Sequence, residues 1–210
     1  ELHQPKKVVP ATVEFVDIAG LVRGASKGEG KGNAFLSNIR DADAVAHVVR
    51  CFEDENIVHV DNRVDPLADI ETIETELILK DLETVQKRLD KAERAAKGQD
   101  AFEKKALALC KRLEEALDSG KPATAVSAND EDEAKILQDL FLLTNKPSFF
   151  VVNVKDDQLA EVESDPLVQK VLSLGAERGV PVVVISAAIE SEIMQLPEEE
   201  RGEFIESLGL

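Results

Sequence analysis

Three short stretches of this chain carry residue types that could bind a phosphorylated ligand. Asp17-Ile18-Ala19-Gly20 has the pattern DxxG behind the apolar run Val13–Val16. An aspartate at a strand end can hold Mg²⁺ through water, and the glycine amide three residues later can sense a terminal phosphate. Asn153-Val154-Lys155-Asp156 follows the run Ser148–Val152. There the Asn can brace a loop and the Asp can accept a hydrogen bond from a guanine edge. Ser186-Ala187-Ala188 follows Val180–Ile185, where small residues let backbone amides approach a base. Each has a plainer reading alone: a carboxylate capping a strand end, an Asn-capped turn, a serine at a helix start. Their order along the chain, each at a strand's C-terminal end, is what gives them weight.

The elements that must position these residues can be read from periodicity. The apolar runs at 13–16, 44–50, 148–152 and 180–185 are rich in Val, Ile and Phe, and helical stretches separate them. That pattern predicts a mostly parallel sheet with helices on its faces, which binds ligands at the carboxyl ends of its strands. Residues 20–33 contain Gly20, Gly24, Gly28, Gly30 and Gly32, which predicts a loop rather than an element; residues 33–41 read as a short helix. Asp65-Pro66 reads as a turn. From 67 to 119 the pattern changes. Ile78, Leu82, Val85, Leu89, Ala92 and Ala96 alternate steps of four and three, as do Phe102, Ala106, Leu109, Leu113 and Ala116. Two heptad-like seams broken at Lys97-Gly98-Gln99-Asp100 predict an antiparallel helical hairpin inserted between two strands. Residues 131–144 predict a further helix. The expected division is a nucleotide-binding part at 1–66 and 145–210, with a helical insertion at 67–144.

Composition narrows the classes. Of 210 residues 43% are hydrophobic but only 4% aromatic, so the core must be aliphatic. The formal net charge of −17 argues against non-specific binding of nucleic acid, which relies on Lys and Arg neutralising phosphates; no direct DNA binding is expected. A local basic patch at Lys104, Lys105, Lys111 and Arg112 reads as a solvated helix face. Cys51 and Cys110 fit neither a zinc site nor a disulfide framework, and reduced thiols in a cytoplasmic protein are expected. No apolar run approaches the ~18 residues of a membrane span.

The stretch Val13-Glu14-Phe15-Val16-Asp17-Ile18-Ala19-Gly20-Leu21-Val22-Arg23-Gly24-Ala25-Ser26-Lys27-Gly28-Glu29-Gly30 resembles the third nucleotide-binding motif and switch II of the Obg-related, YchF-type ATPases. Phe35–Arg40, His47–Phe52 and Phe204–Leu210 continue the resemblance, which covers essentially the whole chain and stops just before that family's C-terminal TGS domain. The resemblance implies an α/β P-loop NTPase fold of the TRAFAC class, with ATP as substrate, Mg²⁺ as cofactor, K⁺ as a candidate accessory cation, and the ribosome as partner. It implies roles for Asp17 (metal), Gly20 (γ-phosphate), Asn153, Val154, Asp156, Ser186 and Ala187 (base), and His59 (catalysis). Leu21 stands where Ras-like enzymes place a water-orienting glutamine, so His59 is the residue expected to position or deprotonate water. His47, inside a strand, is expected to be a core residue.

Asp156 departs from the family, which uses Glu there; Asp is the choice of guanine-specific relatives, whereas Val154 lacks the Lys side chain that covers a guanine. No GxxxxGK[ST] phosphate-binding loop occurs in the 210 residues. That loop, the first strands and switch I are expected to precede Glu1 in a longer parent chain. Their absence would leave an unpaired place in the sheet, with negligible nucleotide binding and a tendency to aggregate. Two rivals remain open: a non-catalytic binding module acting through the hairpin, and a true GTPase.

Overall fold

The structure, a computed structural model, describes residues 9, 11–18, 39–54, 64–96, 98 and 100–207. Its centre is a three-stranded parallel sheet of β1 (Val45–Arg50), β2 (Ser148–Asn153) and β3 (Val182–Ile185), in the order β1-β2-β3. The register places Val49 beside Val152 and Val152 beside Val184. Between β1 and β2 run the helices α1 (Pro66–Ala96), α2 (Ala101–Asp118) and α3 (Glu131–Asp139). Helix α4 (Pro166–Arg178) crosses from β2 to β3, and α5 (Ala187–Gln195) and α6 (Glu198–Ser207) follow.

Local chemistry sets the helix ends. Asp65, read from sequence as part of a turn, accepts from the Ala68 amide at 3.3 Å and starts α1 with Pro66 in its first turn, a position that needs no N–H. Asp100 caps α2 by accepting from Phe102 N at 2.9 Å. Asp165 does the same for α4, which ends on Gly179 at φ +66°, a left-handed conformation that favours glycine. The helix expected over 131–144 stops at Asp139, and Phe141 takes φ +47°. That backbone breaks the helical ladder, and a 3₁₀ turn at Leu143–Asn145 replaces the last stretch.

α1 and α2 are joined by four residues and pack along their seams, with Ile78, Val85, Ala92, Ala106, Leu109 and Leu113 buried. The 31 residues of α1 span about 46 Å. Arg88 bridges the two helices through paired bonds to Glu103 at 2.9 and 3.1 Å. The seam's far end departs from the heptad expectation: Leu117 is buried where Ala116 was expected, and Phe102 is 36% exposed. A straight helix drifts from a strict seven-residue repeat, so the buried stripe moves by one residue.

One face of the sheet carries Val49, Cys51, Phe150, Val152, Val182 and Val184 and packs on Val168 and Val171 of α4 and Ile70 of α1. Contact with α4 is close. A Cβ on Gly175 would lie 2.3 Å from Val182 Cγ2. The opposite face runs Val48–Val151–Val183 across the three strands, and Val48 is 64% and Val183 48% exposed. A smaller cluster ties Ile18, Ile39, Val45, Leu77 and Leu143 together.

The strand expected at Val13–Val16 is not formed. Residues 11–18 have no regular structure, and Val13 and Phe15 are exposed. A strand requires a partner for its backbone, and among the described residues the sheet ends at β1. Of the helix expected at 33–41, residues 39–41 are described and helical; the glycine-rich stretch 20–33 lies outside the described residues.

Candidate functional site

The C-terminal ends of β1, β2 and β3 lie side by side at Arg50, Asn153 and Ile185. The loop that leaves β2 is fastened to both neighbours. Toward β3, Asn153 Oδ1 accepts from the Ala187 amide at 2.9 Å, the Val154 amide donates to Ile185 O at 2.9 Å, and the Ser186 hydroxyl donates to Asp156 Oδ1. Toward β1, the Cys51 amide donates to Asn153 O at 2.9 Å. Ser186 is buried and also caps α5 by accepting from Ile189 N, whereas Asp156 and Ala187 are exposed.

The structure thus brings Asn153, Val154, Asp156, Ser186 and Ala187 into one interlocked loop pair. The Val154 side chain is buried in the core, 2% exposed, so it covers no base; among the described residues its carbonyl is its free backbone group, because its amide serves Ile185. Asp156 keeps one carboxylate oxygen without a protein partner among the described residues. Asp17 is exposed, and Ile18 beside it is anchored in the Ile39–Leu143 cluster. No described contact joins Asp17 to the base loop. Gly20 and His59 lie outside the described residues.

Sequence reasoning missed Gln158. Its Oε1 accepts from the Lys155 amide at 2.8 Å, and its Nε2 donates to Asp165 Oδ2 at 2.7 Å and Cys51 O at 3.3 Å. The signal was half present: a Gln three residues after a cap reaches back to the cap amide in a capping box, but Lys155 is not the Ser or Thr that makes the motif visible. Lys155 also faces Asp54, at 3.8 Å.

Other titratable groups have structural roles. His47 packs against Phe150 in a tilted arrangement, with ring centroids 5.8 Å apart and 51° between the planes. Burial lowers its pKa, against the pull of Glu74 and Asp69, so it is neutral near pH 7. Burial pushes the Cys51 thiol up to about 12 and Cys110 to about 11, which removes the thiolate needed for reactivity. Two members of the basic patch are paired within the molecule: Lys105 with Asp130 at 2.8 Å and Asp132 at 2.6 Å, and Arg112 with Glu133. Among the described residues no helix is long and apolar enough to cross a membrane.

Comparison with known proteins finds relatives over the whole chain and a solved structure of the same fold. The family model described as 50S ribosome-binding GTPase matches residues 3–91. The ribosome-binding ATPase YchF of Bacillus subtilis is 48% identical over 210 residues, which is all of this chain and 57% of that protein. The protein of the same name from Escherichia coli O157:H7 is 44% identical over the same spans. A solved structure, the Schizosaccharomyces pombe YchF GTPase, superimposes with a TM-score of 0.80 at 33% identity, over 98% of this chain and 56% of that one. The chain therefore spans a little over half the length of the relatives it matches. Full coverage of this chain at such identity, on the same fold, shows that it is similar over its whole length to the YchF proteins.

Proposed function

We propose that this chain is the central part of a cytoplasmic, ribosome-associated enzyme that hydrolyses the β–γ phosphoanhydride of ATP. Residues 1–66 and 145–210 are its share of the nucleotide-binding domain, and 67–144 are a helical insertion. The observation that carries this reading is the interlocking of Asn153–Asp156 with Ser186-Ala187 at neighbouring strand ends. Open parallel sheets place ligands at that location. The names of the bacterial relatives add ATP hydrolysis and ribosome binding.

The residues divide the work as follows. The Asn153 side chain holds the Ala187 amide, and so keeps the two base-facing loops in register. The Val154 carbonyl and the Ala187 region line the base. Asp17, an exposed carboxylate, fits a hard cation that takes one or two carboxylates together with substrate phosphates; Mg²⁺ bound there neutralises charge on the β- and γ-oxygens. Gly20 offers its amide to the γ-phosphate. His59 positions the attacking water or takes its proton, in place of the glutamine whose position Leu21 fills. The phosphate-binding loop is assigned to the parent chain, upstream of Glu1.

A guanine-specific reading has one observation in its favour. The second carboxylate oxygen of Asp156 is available to accept from a guanine edge. The test is ATP and GTP binding by the parent chain, extended upstream of Glu1, beside the 210-residue chain. Tight ATP binding by the long form alone supports the proposal. Preference for GTP would establish the second reading. No binding by either form would leave a binding module acting through α1 and α2.

A further inference from the structure

We propose that Gln158 is a positioning residue for base recognition: it holds the Lys155–Asp156 turn against the end of β1 and so sets where Asp156 and the Val154 carbonyl meet the purine. The inference rests on the nucleotide-site reading above and deepens it.

The loop after β2 has two sets of fastenings. Those toward β3 run through Asn153, Val154 and Asp156 themselves, the groups assigned to the base. Those toward β1 run through the Cys51 amide to Asn153 O, and beyond that point through the hydrogen bonds of Gln158 and a longer, partly exposed ion pair between Lys155 and Asp54. Gln158 grips Lys155 twice. Its backbone amide donates to Lys155 O at 3.1 Å, and its side-chain oxygen accepts from Lys155 N at 2.8 Å. Its side-chain nitrogen then reaches two fixed points, Cys51 O at the end of β1 and Asp165 Oδ2 at the start of α4. Cys51 is buried, and Asp165 is itself held by the amides of Leu167 and Val168. The carboxamide uses its oxygen once and its nitrogen twice, and the bond to Asp165 is charge-assisted, the stronger kind.

Without this side chain the residue before Asp156 loses its hydrogen-bonded tie to β1 and keeps only the long Lys155–Asp54 ion pair at 3.8 Å toward that side. The Asp156 side chain then keeps its bond from the Ser186 hydroxyl on the β3 side, and its turn keeps the backbone bond from the residue 158 amide to Lys155 O. Base contacts are selective only when the loop is held in one geometry before the ligand arrives. The Gln158 side chain bonds to Lys155, Cys51 and Asp165, and none of these is assigned to the phosphates, so its removal is expected to act on the base and not on the triphosphate.

The experiment uses the full parent chain. ATP affinity, KM and kcat are measured for the wild type and Gln158→Ala, with inhibition by inorganic tripolyphosphate, which lacks a base, as the internal reference. The expected result is about tenfold weaker ATP binding and a raised KM, with kcat and tripolyphosphate inhibition little changed. Tenfold corresponds to about 1.4 kcal/mol, within the range for the net contribution of an intramolecular hydrogen bond. Gln158→Glu should bind ATP at least as poorly, because its carboxylate opposes Asp165. Adding Asp165→Asn should recover much of the loss, since Asn still caps α4 and can donate to the new carboxylate. Wild-type ATP affinity in Gln158→Ala would overturn the inference. So would equal losses of ATP and tripolyphosphate with a fall in thermal midpoint, which mark a merely structural role. A wild-type parent that binds no nucleotide would sink the nucleotide-site reading itself, and this inference with it.

Discussion

At the scale of single residues, Asp81 shows how one buried carboxylate fixes a joint. It is 1% exposed, on α1, and takes the Leu143 amide at 2.7 Å and both the amide and hydroxyl of Thr144 at 2.8 and 2.7 Å. Burial raises its pKa, against the pull of the Thr144 and Leu143 donors and of Arg40. The folded state therefore holds a proton on Asp81 longer than the unfolded chain. Its contribution to stability falls as pH rises out of the ordinary carboxylate range near 4. Three donors nevertheless need acceptors. Asp81→Asn supplies one oxygen and turns an NH₂ toward the Thr144 donors, so at pH 7 it is expected to cost about 1–3 kcal/mol. A urea melt of the variant beside the wild type measures this, and an unchanged midpoint would show that the clamp is not needed. Nothing in the local sequence marks Asp81: it sits among charged neighbours on a helix, and its partners lie 62 and 63 positions away.

At the scale of elements, the strands and hairpin were legible because their signals are local. β1 and β2 follow apolar runs, and α1 and α2 break at Gly98 and Asp100 where turn residues interrupt the seam. The loop residues Asn153, Asp156 and Ser186 were legible from their positions after strands. The strand at Val13–Val16 was read in error because a strand's partner is not encoded in the strand. The basic residues Lys105 and Arg112 lie on a partly exposed helix face, as expected, but the acids that pair with them, at the start of α3, could not be read from their own segment. Lys105, Arg112, Asp130, Asp132 and Glu133 fasten α3 to α2. Burial alone would raise Glu133, but the Asn129 amide and Arg112 outweigh it and hold its pKa below the usual value; Lys105 does the same for Asp130. With folded pKa values below the unfolded ones, this stabilisation is fully present above the ordinary carboxylate values near 4 and is lost as pH falls through the lowered ones. Amide exchange in α3 is therefore expected to quicken in acid before that in the α1–α2 seam. Glu133→Gln should show faster exchange at neutral pH already and a smaller further change in acid. If α3 and the seam loosen together at every pH, the charged fastening does not set the stability of α3.

At the scale of the whole molecule, the sheet decides how the chain behaves in solution. Parallel sheets are ordinarily covered on both faces, yet among the described residues α1 and α4 pack on one face, and the row Val48–Val151–Val183 on the other leaves its two outer valines exposed. Val13, Phe15 and Val16 add further exposed apolar surface. Contiguous apolar patches beyond a few hundred Å² mark surfaces that associate. The net charge of −17 opposes association at long range, but salt screens that repulsion over about 10 Å at 0.1 M. The 210-residue chain is therefore expected to self-associate, and more so as salt rises. Val48→Lys with Val183→Lys places a charge at each end of the exposed row. It should shift sedimentation toward the monomer while leaving the helical signal unchanged, because neither side chain belongs to the packed face. The parent chain supplies the contrast. If its additional length covers this face, the same two lysines must be buried there, and a buried unpaired charge costs several kcal/mol. The pair of substitutions should then lower the parent's thermal midpoint. A wild-type 210-residue chain that stays monomeric at high salt would show that the exposed row is too small to drive association. A parent that tolerates both lysines would show that the face is open in the longer protein as well.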